Sequence, residues 1–281
     1  MKLIRVVDEC YHCLKGLITK TVSLGAYDEH VKEQALKEGL AILDRDFGKK
    51  MIPTQIAGEA QRIVRQRLNS RDPFLKVKRR EMSAAADIIR EVRTRYGSDI
   101  PSLIKLAALG NAVDFFKELD QVRHQMVYPV EFTINQTELF MDKLAKSRLV
   151  LFLADNAAEL YFDLPLLGAL QRKVETWYAV KQAPVQNDLT LDDIAWAGFA
   201  GRIENIITTG TDTPGLDLDL VPEQFKRLYD RADLVIAKGM GNYETLSEYD
   251  DDRVFYIMMA KCDPVARSVG VPRDSFVATF K

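Results

Sequence analysis

The sequence predicts an α/β protein: a doubly wound, largely parallel sheet with helices on both faces, plus an α-helical N-terminal subdomain. Two observations carry this reading. Over roughly the first 120 residues apolar side chains recur three and four positions apart, the period of an amphipathic helix. From about residue 149 the rhythm changes to short apolar runs alternating with helical stretches, which implies crossover connections and strands buried on both faces.

In the first half the helices read as ECYHCLKGLITKTV, HVKEQALKEGLAIL, QIAGEAQRIVRQRL and EMSAAADIIREVRTRY. Pro53, Asp72-Pro73 and Pro101 stand where helices begin, because proline suits a first turn and disfavours helix in the residue before it. In the second half the strands read as 149-LVLFLA, 174-VETWYAV, 205-NIITT, 233-DLVIA, 254-VFYIMMA and 275-SFVATF, separated by helices such as LDDIAWAGFAGRI and PEQFKRLYDRA. The division falls at 1–130 for the helical subdomain and 131–281 for the α/β domain, although no linker marks it and any point from about 120 to 148 would serve. No internal repeat or low-complexity segment interrupts the pattern.

The chain has 281 residues, enough for a full-sized core, and its 47% hydrophobic and 28% charged content is that of a globular protein. With 39 basic against 41 acidic side chains it offers no general attraction to nucleic acid or to an anionic membrane, so neither is expected as a partner. No apolar stretch reaches the roughly 20 residues of a membrane helix, and MKLIRVVDECYHC is not a signal peptide. A cytoplasmic protein is expected. The three cysteines, Cys10, Cys13 and Cys262, suit a reducing compartment better than a disulfide framework.

In open parallel sheets the ligand crevice lies beyond the carboxyl ends of the strands. There the sequence delivers Asp155-Asn156, then Lys181 and Asn187-Asp188, then Thr208-Thr209-Gly210 with Asp212, then Lys238 with Gly239-Met240-Gly241-Asn242, then Lys261-Cys262. Carboxylates and an amide suit a hard divalent cation such as Mg²⁺, for which Asp155, Asn156 and Asp188 are the best candidates. Lysine and glycine amides suit a phosphoryl group, for which Lys238 and the GMGN turn are candidates. Each feature has a plainer explanation. Asp-Asn after a strand commonly caps a helix, KGMGN matches neither a P-loop nor GxGxxG, and TDTPG is a turn by composition. Their convergence on one sheet edge favours a site.

The ordered motifs CYHC at 10–13, DPFLKVK at 72–78, GNAVD at 110–114, LADNAAE at 153–159, PVQNDLT at 184–190, ITTGTDTPG at 207–215, ADLVIAKGMGNYETL at 232–246 and KCDPVA at 261–266 span nearly the whole chain. This set resembles the metal-dependent damage-control phosphatases, also called domain of unknown function 89, in the branch that carries a CxxC pair. The resemblance implies a helical portion on a Rossmann-like α/β portion, and a Mg²⁺, Mn²⁺, Co²⁺ or Ni²⁺ site that hydrolyses small phosphate esters: phosphosugars, phosphopantetheine-type or other damaged phosphometabolites. It also implies Asp155, Asn156 and Asp188 as metal ligands, with Asn111, Asp114, Glu159, Asn242, Glu244 and Lys261 as further site positions. One departure is Ala158, where the family commonly has glycine, so that a methyl group is expected to crowd the helix start. The pair Cys10 and Cys13, with Cys262, reads as a second metal or redox site, or as buried structural thiols with His12 a polar neighbour. His30 and His124 fall in no motif.

The expected reaction is metal-assisted hydrolysis of a phosphomonoester. Lys238 or Lys261 with the Gly239 and Gly241 amides would offset charge on the phosphoryl oxygens, and Glu159 or Glu244 would orient water or protonate the leaving oxygen. A covalent phospho-aspartate on Asp155 is equally compatible with the sequence. The rival readings are an S-adenosylmethionine-dependent carboxyl methyltransferase, against which the first predicted strand lacks a glycine-rich loop, and a non-catalytic phosphometabolite-binding protein. No sequence feature specifies an oligomeric state.

Overall fold

The computed structural model describes residues 5–25, 28–112 and 128–281. Helices come first: α1 (Asp8–Gly25), α2 (Glu29–Asp46), α3 (Pro53–Arg67), α4 (Leu75–Val92) and α5 (Ile100–Gly110). Their starts follow from local chemistry. The Asp28 carboxylate accepts from the His30 and Val31 amides at 2.8 and 3.2 Å, and Asp99 accepts from the Ser102 amide at 2.9 Å. Pro53 and Pro101 sit in the first turns of α3 and α5, where a missing N–H costs nothing.

The sheet region follows as β1 (Phe132–Asn135), α6 (Thr137–Leu144), β2 (Leu149–Leu153), α7 (Leu160–Gln171), β3 (Glu175–Val180), α8 (Leu191–Trp196), β4 (Ile206–Thr208), α9 (Glu223–Arg231), β5 (Leu234–Lys238), α10 (Gly239–Leu246), β6 (Val254–Ala260), α11 (Asp263–Val269) and β7 (Ser275–Phe280). Strand order is β1-β7-β6-β5-β2-β3-β4. Every neighbouring pair is parallel except β6 and β7. Two features lie outside the sequence reading. The edge strand β1 is four residues long and alternates between half-buried and exposed positions, so it has no apolar run to announce it. The last strand runs backwards because α11 ends at Gly270 in the left-handed region (φ 85°) and Asp274 N–H then bonds Ala260 O at 2.8 Å. Ser275 therefore starts opposite Ala260, and β7 retraces β6.

Strand parity divides the core. Val150, Phe152, Leu234, Ile236, Phe255 and Ile257 face one layer, which holds α4, α5 and α7, whereas Leu149, Leu151, Val235, Ala237, Tyr256 and Met258 face the other, with α9 and α10. The helices α1 to α3 keep a third core of their own around Ile18, Leu43, Ile56 and Val64. From β2 the chain builds outward to β3 and β4, then returns to the opposite side of β2 with β5 and β6. The topological switch point therefore lies between the carboxyl ends of β2 and β5, where such sheets open a crevice. Among the described residues, no helix is long and apolar enough to cross a membrane.

Candidate active site at the carboxyl edge of the sheet

Two loops meet at the switch point. Beyond β2, Asp155 O accepts from Leu189 N–H at 2.8 Å, and Ala157 N–H donates to Asn187 O at 2.8 Å, so Asn156 and Asp188 pair as an antiparallel bridge. The candidate ligands Asp155, Asn156 and Asp188, separated by about thirty residues of chain, are thus brought together by backbone hydrogen bonds. Asn156 precedes a single 3₁₀ turn, Ala157–Glu159, yet makes no side-chain cap bond. Its amide donates instead to Asp155 Oδ2 at 2.9 Å and to Glu159 Oε1 at 2.8 Å. The cap explanation therefore fails for this asparagine. Ala158 is buried inside the turn, which forms with the methyl group in place.

Asn111, just beyond α5, repeats the pattern from the other side. Its amide donates to Asp155 Oδ2 at 3.2 Å and Glu159 Oε1 at 2.7 Å, while its Oδ1 accepts from Met259 N–H of β6 at 2.9 Å. It clamps a helix, a strand and the Asp155 loop together. Asp114, in the same motif, lies outside the described residues.

Above these groups is a cavity of about 200 Å³ whose lining includes Asn111, Asp155, Asn156, Asp188, Gly241, Glu244 and Lys261, with Leu14 of α1 and Pro53 of α3 on the opposite wall. The helical region closes over the sheet edge. Burial, with the neighbouring charges of Glu159 and Asp188, pushes the Asp155 carboxyl well above its ordinary range, against the pull of Lys261 and Lys238. Burial likewise raises Asp188 to about 6, opposed by Lys181 and Lys78. Asp188 Oδ2 is 3.6 Å from Lys181 Nζ, too far for an ordinary hydrogen bond, and has no hydrogen-bond partner. Burial alone lifts Glu244 to about 8.

Several expected site residues lie beneath the cleft rather than in it. Lys238 was expected at the phosphoryl group; it ends β5 with the parity of Leu234 and Ile236, so its side chain enters the α5–α7 layer. There, fully buried, its ammonium donates to Ala107 O at 2.9 Å, Glu159 Oε2 at 2.8 Å and Asp163 Oδ1 at 2.5 Å. All three of its donors are used. Glu159 is equally buried; burial pushes its carboxyl up, but Lys238, Lys261 and Asn111 outweigh this and hold it below the ordinary value. It positions Asn111 and Asn156 and does not reach the cleft. Asn242 donates to Ala154 O at 3.2 Å and Lys238 O at 2.7 Å, tying the ends of β2 and β5. Gly239 has φ 76°, and a Cβ there would stand 1.9 Å from Asp155 Oδ2. Its bare Cα makes room for the aspartate. Of the expected lysines, Lys261 alone lines the cleft.

Other residues of the site were noted at strand ends without being given a role, or were not noted at all. Lys181, buried at the end of β3, reaches Gly215 O and faces Asp188. Gly215 (φ 67°) lies so close to Gly241 that a Cβ would fall 2.2 Å from its carbonyl oxygen, which explains the glycine of TDTPG. Asp212 of the same loop pairs with Arg62 and Arg65 of α3 at 3.0 and 2.5 Å, fastening helix to sheet. Lys78 of the DPFLKVK motif is buried between Asp72 at 2.7 Å and Asp193 at 2.9 Å, beneath the loop that carries Asp188. Lys181 and Asn187 stood at strand ends and could have been chosen on that signal; Lys78 could not. No disulfide joins Cys10, Cys13 or Cys262, and all three line a second cavity. Among the described residues no three His, Cys, Asp or Glu side chains are grouped to hold a metal ion.

The model of the damage-control phosphatase ARMT1-like domain matches residues 6–277. This chain belongs to that family. It is 30% identical over 281 residues to the damage-control phosphatase PH1575 of Pyrococcus horikoshii, covering 97% of each chain. It is also 30% identical over 285 residues to a damage-control phosphatase of Archaeoglobus fulgidus, covering 96% of each. Its fold matches the crystal structure of the Pyrococcus horikoshii protein, described as a domain of unknown function 89 family member, with a TM-score of 0.89, 28% identity and 99% of both chains covered.

Proposed function

We propose that this member of the family is a metal-dependent phosphomonoester hydrolase acting on small phosphorylated metabolites. The observation that carries the reading is the meeting of Asp155, Asn156 and Asp188 across the switch point, with Lys261 on the same cleft. The names of its relatives as damage-control phosphatases support it. The donor set fits a hard divalent cation: two carboxylates and an amide oxygen, one carboxylate atom buried without a hydrogen-bond partner, and mutual repulsion that a bound cation would relieve. Mg²⁺, Mn²⁺, Co²⁺ or Ni²⁺ held there supplies Lewis-acid polarisation of the phosphoryl group and activation of water.

The protein's own groups do the rest. Asn111 and Asn156 both bond Asp155 Oδ2, and Asp155 lines the cleft, so Oδ1 is the oxygen that would meet a cation or make an in-line attack. Lys261 brings positive charge to the side of the phosphoryl oxygens, where charge grows in the transition state. Glu244, protonated up to about pH 8, holds a proton beside the cleft and is placed to give it to the leaving oxygen. The test is hydrolysis of an aryl phosphate with each of the four cations. Activity that requires the cation and disappears in Asp155→Ala, with circular dichroism unchanged, is expected; a fully active, cation-responsive Asp155→Ala protein would refute the assignment. Methyl transfer from S-adenosylmethionine, or tight binding of phosphate esters without turnover, would establish a rival reading.

A further inference from the structure

A pocket of about 640 Å³ opens where the carboxyl end of α3 meets the loop that carries Asp212. It shares no wall residue with the cleft. Local geometry brings three arginines to it. Arg62 and Arg65 stand three residues apart on α3 and so share a face. Beyond the helix Asn69 takes the left-handed conformation (φ 49°), which asparagine tolerates better than most residues, and the chain turns so that Arg71 joins them in the wall.

The wall holds more donors than it has acceptors to match. Its one carboxylate, Asp212, is engaged at both oxygens, by Arg62 at 3.0 Å and by Arg65 at 2.5 Å. Arg65 O and Gln66 O, left open by the end of the helix, accept from the Ser70 and Asn69 amides, each at 3.1 Å. Donors remain. A guanidinium has five N–H groups. Arg65 spends one of its own on Asp212 and one on Pro184 O, and its buried Nε has no acceptor among the described residues. Arg71 meets Asp192 at 3.4 Å, but both side chains are exposed and solvent screens the pair. Gln66, Asn69 and Ser70 complete the wall with groups that can donate and that make no side-chain hydrogen bond among the described residues. No apolar residue lines the pocket, so nothing there holds an occupant by a ring or a hydrocarbon chain.

We propose that this pocket is an anion site separate from the cleft, suited to a small, multiply charged oxyanion such as inorganic pyrophosphate. Guanidinium groups bind such oxygens through paired N–H donors. The anion would sit on the fastening between α3 and the Asp212 loop, beside the arginines that join helix to sheet. The proposal does not depend on the phosphatase reading.

It is tested by titration calorimetry of the full-length protein, free of divalent cations, with inorganic pyrophosphate. One pyrophosphate per chain is expected, bound more weakly as salt rises. Singly charged acetate should bind less well. Arg71 is exposed, so Arg71→Ala should fold as the parent does, with the same circular dichroism, and should weaken pyrophosphate about tenfold, the worth of one hydrogen bond to a charged group. Arg71→Glu should weaken it further. Lys261→Met, which removes the lysine of the cleft, should leave the binding unchanged. No binding at millimolar pyrophosphate, acetate bound equally well, binding that both Arg71 variants leave intact, or binding that Lys261→Met abolishes overturns the proposal. Hydrolysis of aryl phosphate tests the phosphatase reading separately, so the two can fail independently.

Discussion

Two charged clusters lie one above the other at the end of β5, and they are built on opposite principles. In the lower one Lys238, Glu159 and Asp163 are buried and paired, and the lysine's donors are all met. In the upper one Asp155 and Asp188 face each other's charge, Asp188 Oδ2 has no hydrogen-bond partner, and Lys181 stops 3.6 Å short. A buried cluster whose hydrogen bonds are all met is a structural element, because removing any member leaves another uncompensated. One with a buried carboxylate oxygen left unmet is placed for something that arrives from outside. The contrast separates residues that type and position alone made look alike.

The largest expected effect comes from breaking the lower cluster. Lys238→Met leaves Glu159 and Asp163 without their cation, and should destabilise the fold by about 3–5 kcal/mol in denaturant unfolding. That is a large fraction of the roughly 5–15 kcal/mol of a typical domain. Near-normal stability would show that the two carboxylates do not depend on Lys238. The upper cluster should respond in the opposite sense. Asp155→Asn keeps acceptors for Asn111 and Asn156 but removes the repulsion from Glu159 and Asp188. Without added cation its melting temperature should equal or exceed that of the parent, while phosphatase activity falls by about 100-fold or more. A protein both less stable and fully active would erase the contrast.

Between the clusters, Gly239 sets the boundary. Gly239→Ala places a methyl group against Asp155 at φ 76°, which costs about 1–2 kcal/mol in backbone strain. Because the methyl also displaces the carboxylate, activity should drop more than stability predicts; an equal loss of both would make the glycine purely structural.

This boundary marks where the sequence stopped being informative. Apolar runs placed β2 to β6 within a residue or two, since strands buried on both faces write themselves as continuous hydrophobic stretches. The edge strand β1 has no such run, and nothing in SFVATF distinguishes a strand that continues the parallel sheet from one that turns back. Within the site, residue type and strand-end position pointed to Asp155, Asn156, Asp188, Gly241 and Lys261, and the family resemblance to Glu244, all of which line one cleft. They were not enough to divide cleft from foundation. For Lys238 the division was legible in principle: it shares the parity of Leu234 and Ile236 and had to enter the same layer. For Asn111 and Lys78 it was not, because their roles depend on how α5 and α4 pack against the sheet, which is long-range information that a local pattern does not hold.

The last test asks whether Glu244 belongs with the upper cluster, and it is read as a pH slope. Burial alone raises it, with no opposing charge to lower it, so the folded protein keeps its proton up to about 8 while the unfolded chain releases it near 4.5. In that window the folded state binds more protons than the unfolded one, so this contribution is fully present below about 4.5 and is lost as pH rises toward 8. Glu244→Gln carries no such proton. Its unfolding free energy should fall less steeply than the parent's between these limits, and the two slopes should agree above about 8. If the parent were flat there, or grew more stable as pH rose, Glu244 would have a compensating partner and would join the closed, structural class.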